Sequence, residues 1–71
     1  MAQFKEIGRV NVNDARDMVA SSVTEDGELK GINFNSYVRT NHYEGFTKDG
    51  LFVPAAKLEE FGELVRTVLA T

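Results

Sequence analysis

The stretch Ile32-Asn33-Phe34-Asn35-Ser36-Tyr37-Val38-Arg39 decides the fold, because it alternates strictly between two kinds of side chain. Successive residues of a β-strand point to opposite faces, so Ile32, Phe34, Ser36 and Val38 share one face and Asn33, Asn35, Tyr37 and Arg39 the other. Just upstream, Thr24-Glu25-Asp26-Gly27 holds an Asp-Gly pair between strand-like runs, the strongest short-range hairpin signal. Met18 to Val23, rich in small and branched residues, is thereby predicted to pair antiparallel with the stretch that follows.

Working outward, Phe4 to Val12 alternates apolar with polar except for a parity shift across Gly8, which predicts a strand with a bulge at the glycine. Asn13-Asp14-Ala15-Arg16 reads as a turn. Thr40 to Gly45 reads as a polar loop and Phe46 to Val53 as a strand, although the second Asp-Gly pair, Asp49-Gly50, is equally compatible with a tight hairpin. Pro54 suits the first position of a helix, where its missing N–H costs nothing, and Ala55 to Leu69 follows the helical period. Leu58, Phe61, Leu64, Val65, Val68 and Leu69 fall three and four apart and form one wide apolar stripe. Gly62 sits beside that stripe in mid-helix, at about 1 kcal/mol below alanine in helix propensity, an arrangement that suits close approach of another backbone. The expectation is a single domain over 1–71 of α+β class. Its four-stranded antiparallel twisted sheet covers about 3–53 and its one C-terminal helix about 54–70.

Composition narrows what such a domain does. At 71 residues the chain buries only about 60% of its unfolded surface, too little for a deep core. It has no cysteine and one histidine, His42, so neither disulfides nor a zinc site can reinforce that core. Association with a second copy is the remaining remedy, and Leu58, Phe61, Gly62, Val65 and Val68 are the expected dimer interface. No apolar run approaches the length of a membrane span, and Met1-Ala2-Gln3-Phe4-Lys5-Glu6 lacks an apolar signal region, so no membrane partner and a cytoplasmic location are expected. Glu59, Glu60 and Glu63 fall on the outer helix face, no nucleophile has a base in a recognisable arrangement, and no phosphate loop occurs. The expectation is a binding protein, not an enzyme, with no cofactor and no metal.

The order of elements, with Asp26-Gly27-Glu28-Leu29-Lys30-Gly31-Ile32-Asn33-Phe34-Asn35-Ser36-Tyr37-Val38, then Lys48-Asp49-Gly50-Leu51-Phe52-Val53, then the helix carrying Leu58, Phe61 and Leu64, resembles the positive-cofactor-four transcriptional coactivator domain and its bacterial and phage relatives. The resemblance covers roughly Met18 to Leu69 and rests on pattern. It implies a homodimer that binds single-stranded DNA with little sequence preference, in transcription, replication or recombination, in a bacterial or infected-host cytoplasm. Tyr37 matches the family pattern. The family's DNA-contacting arginine falls on Asn35 and its stacking tryptophan on Val38; Arg39, one position along, offers a substitute cation, and Lys48 keeps a basic residue before the family's basic-Gly step.

Single-strand binding needs cations for phosphates and flat side chains for unpaired bases. Arg9, Lys30, Asn35, Tyr37, Arg39, Phe46 and Lys48 are the expected contacts, and Arg16 extends the same patch. Binding through those cations implies a steep loss of affinity with salt. The net charge of -3 weighs against this reading; the alternative is a small protein-protein interaction or regulatory subunit whose sheet face meets an acidic or peptide partner.

Overall fold

A computed structural model describes residues 1–71. The chain forms strands β1 (Ala2–Asn13), β2 (Arg16–Glu25), β3 (Glu28–Arg39) and β4 (Glu44–Pro54), a 3-10 turn over Ala55–Lys57, and helix α1 (Leu58–Leu69). The four strands make one sheet in the order β1-β2-β3-β4, every neighbouring pair antiparallel. This is the expected α+β arrangement of a four-stranded antiparallel sheet followed by one helix. No helix is long and apolar enough to cross a membrane.

Local chemistry accounts for each connection. Asp26 and Gly27 both take positive φ, 55° and 78°, the geometry that a two-residue hairpin needs to match the strand twist. In the β1–β2 turn the Asn13 side chain accepts a hydrogen bond from the Ala15 amide at 2.9 Å, an Asx-turn that reverses the chain. The Thr40 hydroxyl accepts from the Tyr43 amide at 2.9 Å and donates to the Tyr43 carbonyl at 2.9 Å, closing the β3–β4 loop.

Four register breaks interrupt the ladders: one between Asn11 and Asn13, one between Val23 and Thr24, and two that bear on the shape of the helix-free face. The first of these two lies between Glu6 and Gly8 on β1, where the parity shift predicts a bulge. The second lies where Asn35 and Tyr37 of β3 face Gly50 and Phe46 of β4. The stretch Phe46 to Val53 is therefore one continuous strand with an irregularity around Thr47–Asp49, and Asp49-Gly50 makes no separate hairpin. Strands also run further than the alternation alone implies: β3 begins at Glu28 and β4 at Glu44.

Pro54 departs from its expected place as the first helical residue. It closes β4 with φ -60° and ψ 149°, an extended conformation, and the helix proper starts only at Leu58 after the 3-10 turn. A fixed φ near -65° suits both settings, so the proline by itself does not choose between them.

The helix lies against one face of the sheet, toward β3 and β4. Phe61 packs on Phe34 with ring centroids 5.5 Å apart. Val53, opposite Ile32, is buried on this side. Most of the stripe stays uncovered: Leu64 is 60%, Val68 61% and Leu69 80% exposed. On the same sheet face Val10 pairs with Met18 on the half the helix does not reach, and both are exposed.

The other face carries no helix. Its floor is the odd-numbered side of β2, Asp17, Val19, Ser21 and Val23, all buried. These side chains are short and sit between longer ones: Val19 between Arg9 and Asn35, Ser21 between Glu6 and Asn33. Val19, Val23 and Val53 are the only buried apolar side chains, and the molecule is a slab of 40 × 39 × 17 Å. Burial on this scale is far below what a stable domain of this length needs.

Candidate functional site

The helix-free face brings together four aromatic side chains. Register pairs put Phe4 opposite Val23, Phe52 opposite Asn33 and Phe46 opposite Tyr37, so all four rings emerge on the side of Asn33, Asn35 and Arg39. Tyr37 and Phe46 meet edge to face with centroids 5.2 Å apart. Phe52 lies over Gly31, where an added Cβ would come within 2.7 Å of its ring and would also strike the Val53 carbonyl oxygen. The missing side chain at residue 31 is what lets the ring lie flat against the sheet.

Charged groups cluster around Tyr37. Asp17 accepts two hydrogen bonds from Arg39, at 3.0 and 3.2 Å, one from Arg9 at 3.0 Å and one from Asn11 at 2.8 Å. Arg9 also grips Glu6 with two donors, at 2.7 and 2.9 Å. Its guanidinium lies over the Tyr37 ring, 5.2 Å from the centroid. The Tyr37 hydroxyl in turn donates to Glu44 at 2.9 Å. Two guanidinium groups thus meet two carboxylates, a third joins through the Tyr37 hydroxyl, and the cluster carries a net charge of 2 - 3 = -1.

These contacts set the titration of the group. Hydrogen bonds from Arg39, Asn11 and Arg9 hold the Asp17 carboxyl well below the usual carboxylate range. The bond from Arg9 lowers Glu6, and donation to the Glu44 carboxylate raises the Tyr37 phenol. The folded protein binds the Asp17 proton less tightly than the unfolded chain does. Its contribution to stability is therefore complete above the ordinary value of 3.8 and is lost as pH falls through the lower folded value. Asp17→Asn should melt at a lower temperature at neutral pH and show a flatter decline between about pH 5 and pH 2. Thermal melts of both proteins across that range check this, and parallel acid limbs would show that Asp17 contributes nothing to acid lability.

The sequence-predicted contacts divide by position. Arg9, Asn35, Tyr37, Arg39 and Phe46 converge on the helix-free face. Arg16 pairs with Val38 and reaches Ser36 at 3.5 Å, which places it on the helix side. Lys30 lies at the opposite end of β3, beside the β2–β3 hairpin, in an ion pair with Glu28 at 3.4 Å. Lys48 stands in the irregular part of β4, exposed and without an ion pair.

Glu6, Asn11, Asp17 and Glu44 were not among the predicted contacts, yet they hold both arginines and the tyrosine. One signal for them was present: residues three apart lie on opposite faces of a regular strand, so the parity shift at Gly8 is what brings Glu6 and Arg9 to the same side. No group of His, Asp or Glu side chains is arranged to hold a metal ion. Compared with known proteins, the chain matches no family model, no curated protein and no solved structure.

Proposed function

We propose that this protein is a homodimeric, non-enzymatic module that binds single-stranded DNA on its helix-free sheet face with little sequence preference, within the cytoplasm, in transcription, replication or recombination. The observation that carries the reading is the set of four rings, Phe4, Tyr37, Phe46 and Phe52, on an uncovered sheet beside the amides of Asn33 and Asn35. Unpaired bases have flat faces that stack on such rings at about 1–3 kcal/mol each, whatever their identity. Stacking on an open sheet is also sequence-tolerant.

The dimer half of the proposal rests on the opposite side of the molecule. Leu64, Val65, Val68 and Leu69 on the helix and Val10 and Met18 on the sheet form an uncovered apolar surface. Phe61 stands at its border, and an apolar groove of about 420 Å³ opens between Met18, Phe34, Leu51 and Phe61. Gly62 has nothing within 4 Å of the place a Cβ would occupy, which leaves room for a partner helix. A two-fold partner bringing the same surface would cover both the stripe and the groove.

The cluster around Asp17, whose arginines are already paired with carboxylates, favours a second reading, a protein-protein interaction or regulatory subunit whose rings receive a peptide. A gel-shift series with oligo-dT and with a duplex of the same length separates the two. Retardation of the single strand supports the first, and no retardation of either at low salt leaves the second.

A further inference from the structure

We infer that the helix-free face recognises the bases of a single strand and not its phosphates, the carboxylates of Glu6 and Asp17 having already taken the charge of the arginines beside Tyr37 that phosphates would need. The inference rests on the single-strand reading and specifies its chemistry.

Three observations carry it. Arg9 and Arg39 are the cations that surround Tyr37, and each is held by carboxylate: Arg9 by Glu6 and Asp17, Arg39 by Asp17 with two parallel bonds. Bidentate pairs of this kind are the strong form of the interaction, and an incoming phosphate would have to replace them while meeting a cluster of net charge 2 - 3 = -1. Secondly, what the guanidinium of Arg9 retains is its flat surface, already stacked over Tyr37. Thirdly, the neutral groups nearby suit base edges: Asn33 makes no side-chain hydrogen bond, and Asn35 makes only a long one, 3.5 Å, to the Thr47 carbonyl. An amide offers a donor and an acceptor to whatever base edge it meets.

The rings are also spread along the face. Tyr37 with Phe46 and Asn33 with Phe52 are four residues apart on β3, about 13 Å at the rise of a strand. That separation offers two stacking platforms to one extended strand.

The test is the binding of a 5′-labelled oligo-dT and of an abasic oligomer of the same length, by anisotropy across a salt series, to the full-length protein. Phosphate-led binding loses affinity with a log-log slope of about -0.7 for every phosphate neutralised. The expected slope for oligo-dT is shallower than that single-phosphate value, and the abasic oligomer should bind at least tenfold more weakly. Glu6→Gln, which frees part of Arg9 and leaves the Asp17 pairs intact, should steepen the slope by about one phosphate equivalent, whereas Glu44→Gln, whose carboxylate holds no arginine, should leave it unchanged. Circular dichroism establishes that each variant is folded. A native slope of about -2 or steeper, or equal affinity for the abasic strand, overturns the inference while leaving single-strand binding in place. Binding of neither oligomer overturns the single-strand reading itself, and the inference with it.

Discussion

Phe61→Ala should leave the protein unfolded at micromolar concentration. Within one chain Phe61 is the helix's main contact with the sheet, through Phe34, and truncating a phenylalanine in such a position costs about 3–5 kcal/mol. In a two-fold dimer the loss occurs twice, about 6–10 kcal/mol, which is comparable with the whole stability of a small domain. Only three apolar side chains are buried, so little else compensates. Sedimentation equilibrium should give twice the 7.9 kDa chain mass for the native protein, and the variant should lose its cooperative melt. Val68→Asp isolates the partner's share: Val68 is 61% exposed in the single chain, so a monomer should tolerate the change within about 0.5 kcal/mol. A folded, monomeric native protein, or a Val68→Asp variant that melts unchanged, would remove the dimer. Glu59→Ala, on the outer face, should be silent in every assay.

Tyr37→Ala should lower single-strand affinity by about one to two orders of magnitude, the loss of one stacked base. The sequence places Tyr37 on the polar face but leaves open whether its ring meets ligand or holds structure. In the fold the ring lies between the Arg9 guanidinium and the edge of Phe46, with its hydroxyl on Glu44. Both roles therefore act through the same contacts, and Tyr37→Phe separates them. That variant keeps the ring and removes the bond to Glu44, so it should retain affinity while shifting the melting temperature only slightly, by the worth of one exposed hydrogen bond, about 1 kcal/mol or less. If Tyr37→Phe loses as much affinity as Tyr37→Ala, the hydroxyl and not the ring is the contact.

How much of this was legible in the sequence depends on whether the governing interaction is local. Asp26-Gly27 makes its hairpin because only local φ values matter there, and the alternation of Ile32 to Arg39 places their partners on β2 and β4 on the right faces. Pro54 was not legible, because its φ is shared by a strand end and a helix start and the choice falls to ψ. Asp17 stood in plain view at the start of β2. Its importance depends on Arg9 and Arg39, eight and twenty-two positions away, and on a β1–β2 register that irregularities shift. Along the chain alone those arginines count as free cations, because charge pairing across strands has no signature there.

The register breaks of the outer strands have one more consequence, for how the rims of the sheet meet other copies. β1 and β4 are the outermost strands, and each is interrupted: β1 after Glu6, β4 between Phe46 and Gly50. The longest unbroken runs left along the rims are Ala2–Glu6 and Gly50–Pro54, the latter ending in a residue with no N–H to donate. A sheet this exposed and this aromatic would otherwise be a template for fibre growth, each molecule extending the ladder of the last. Kinked rims deny a newcomer the straight row of amides and carbonyls that such growth requires, and so leave the broad surfaces as the places where other molecules can settle.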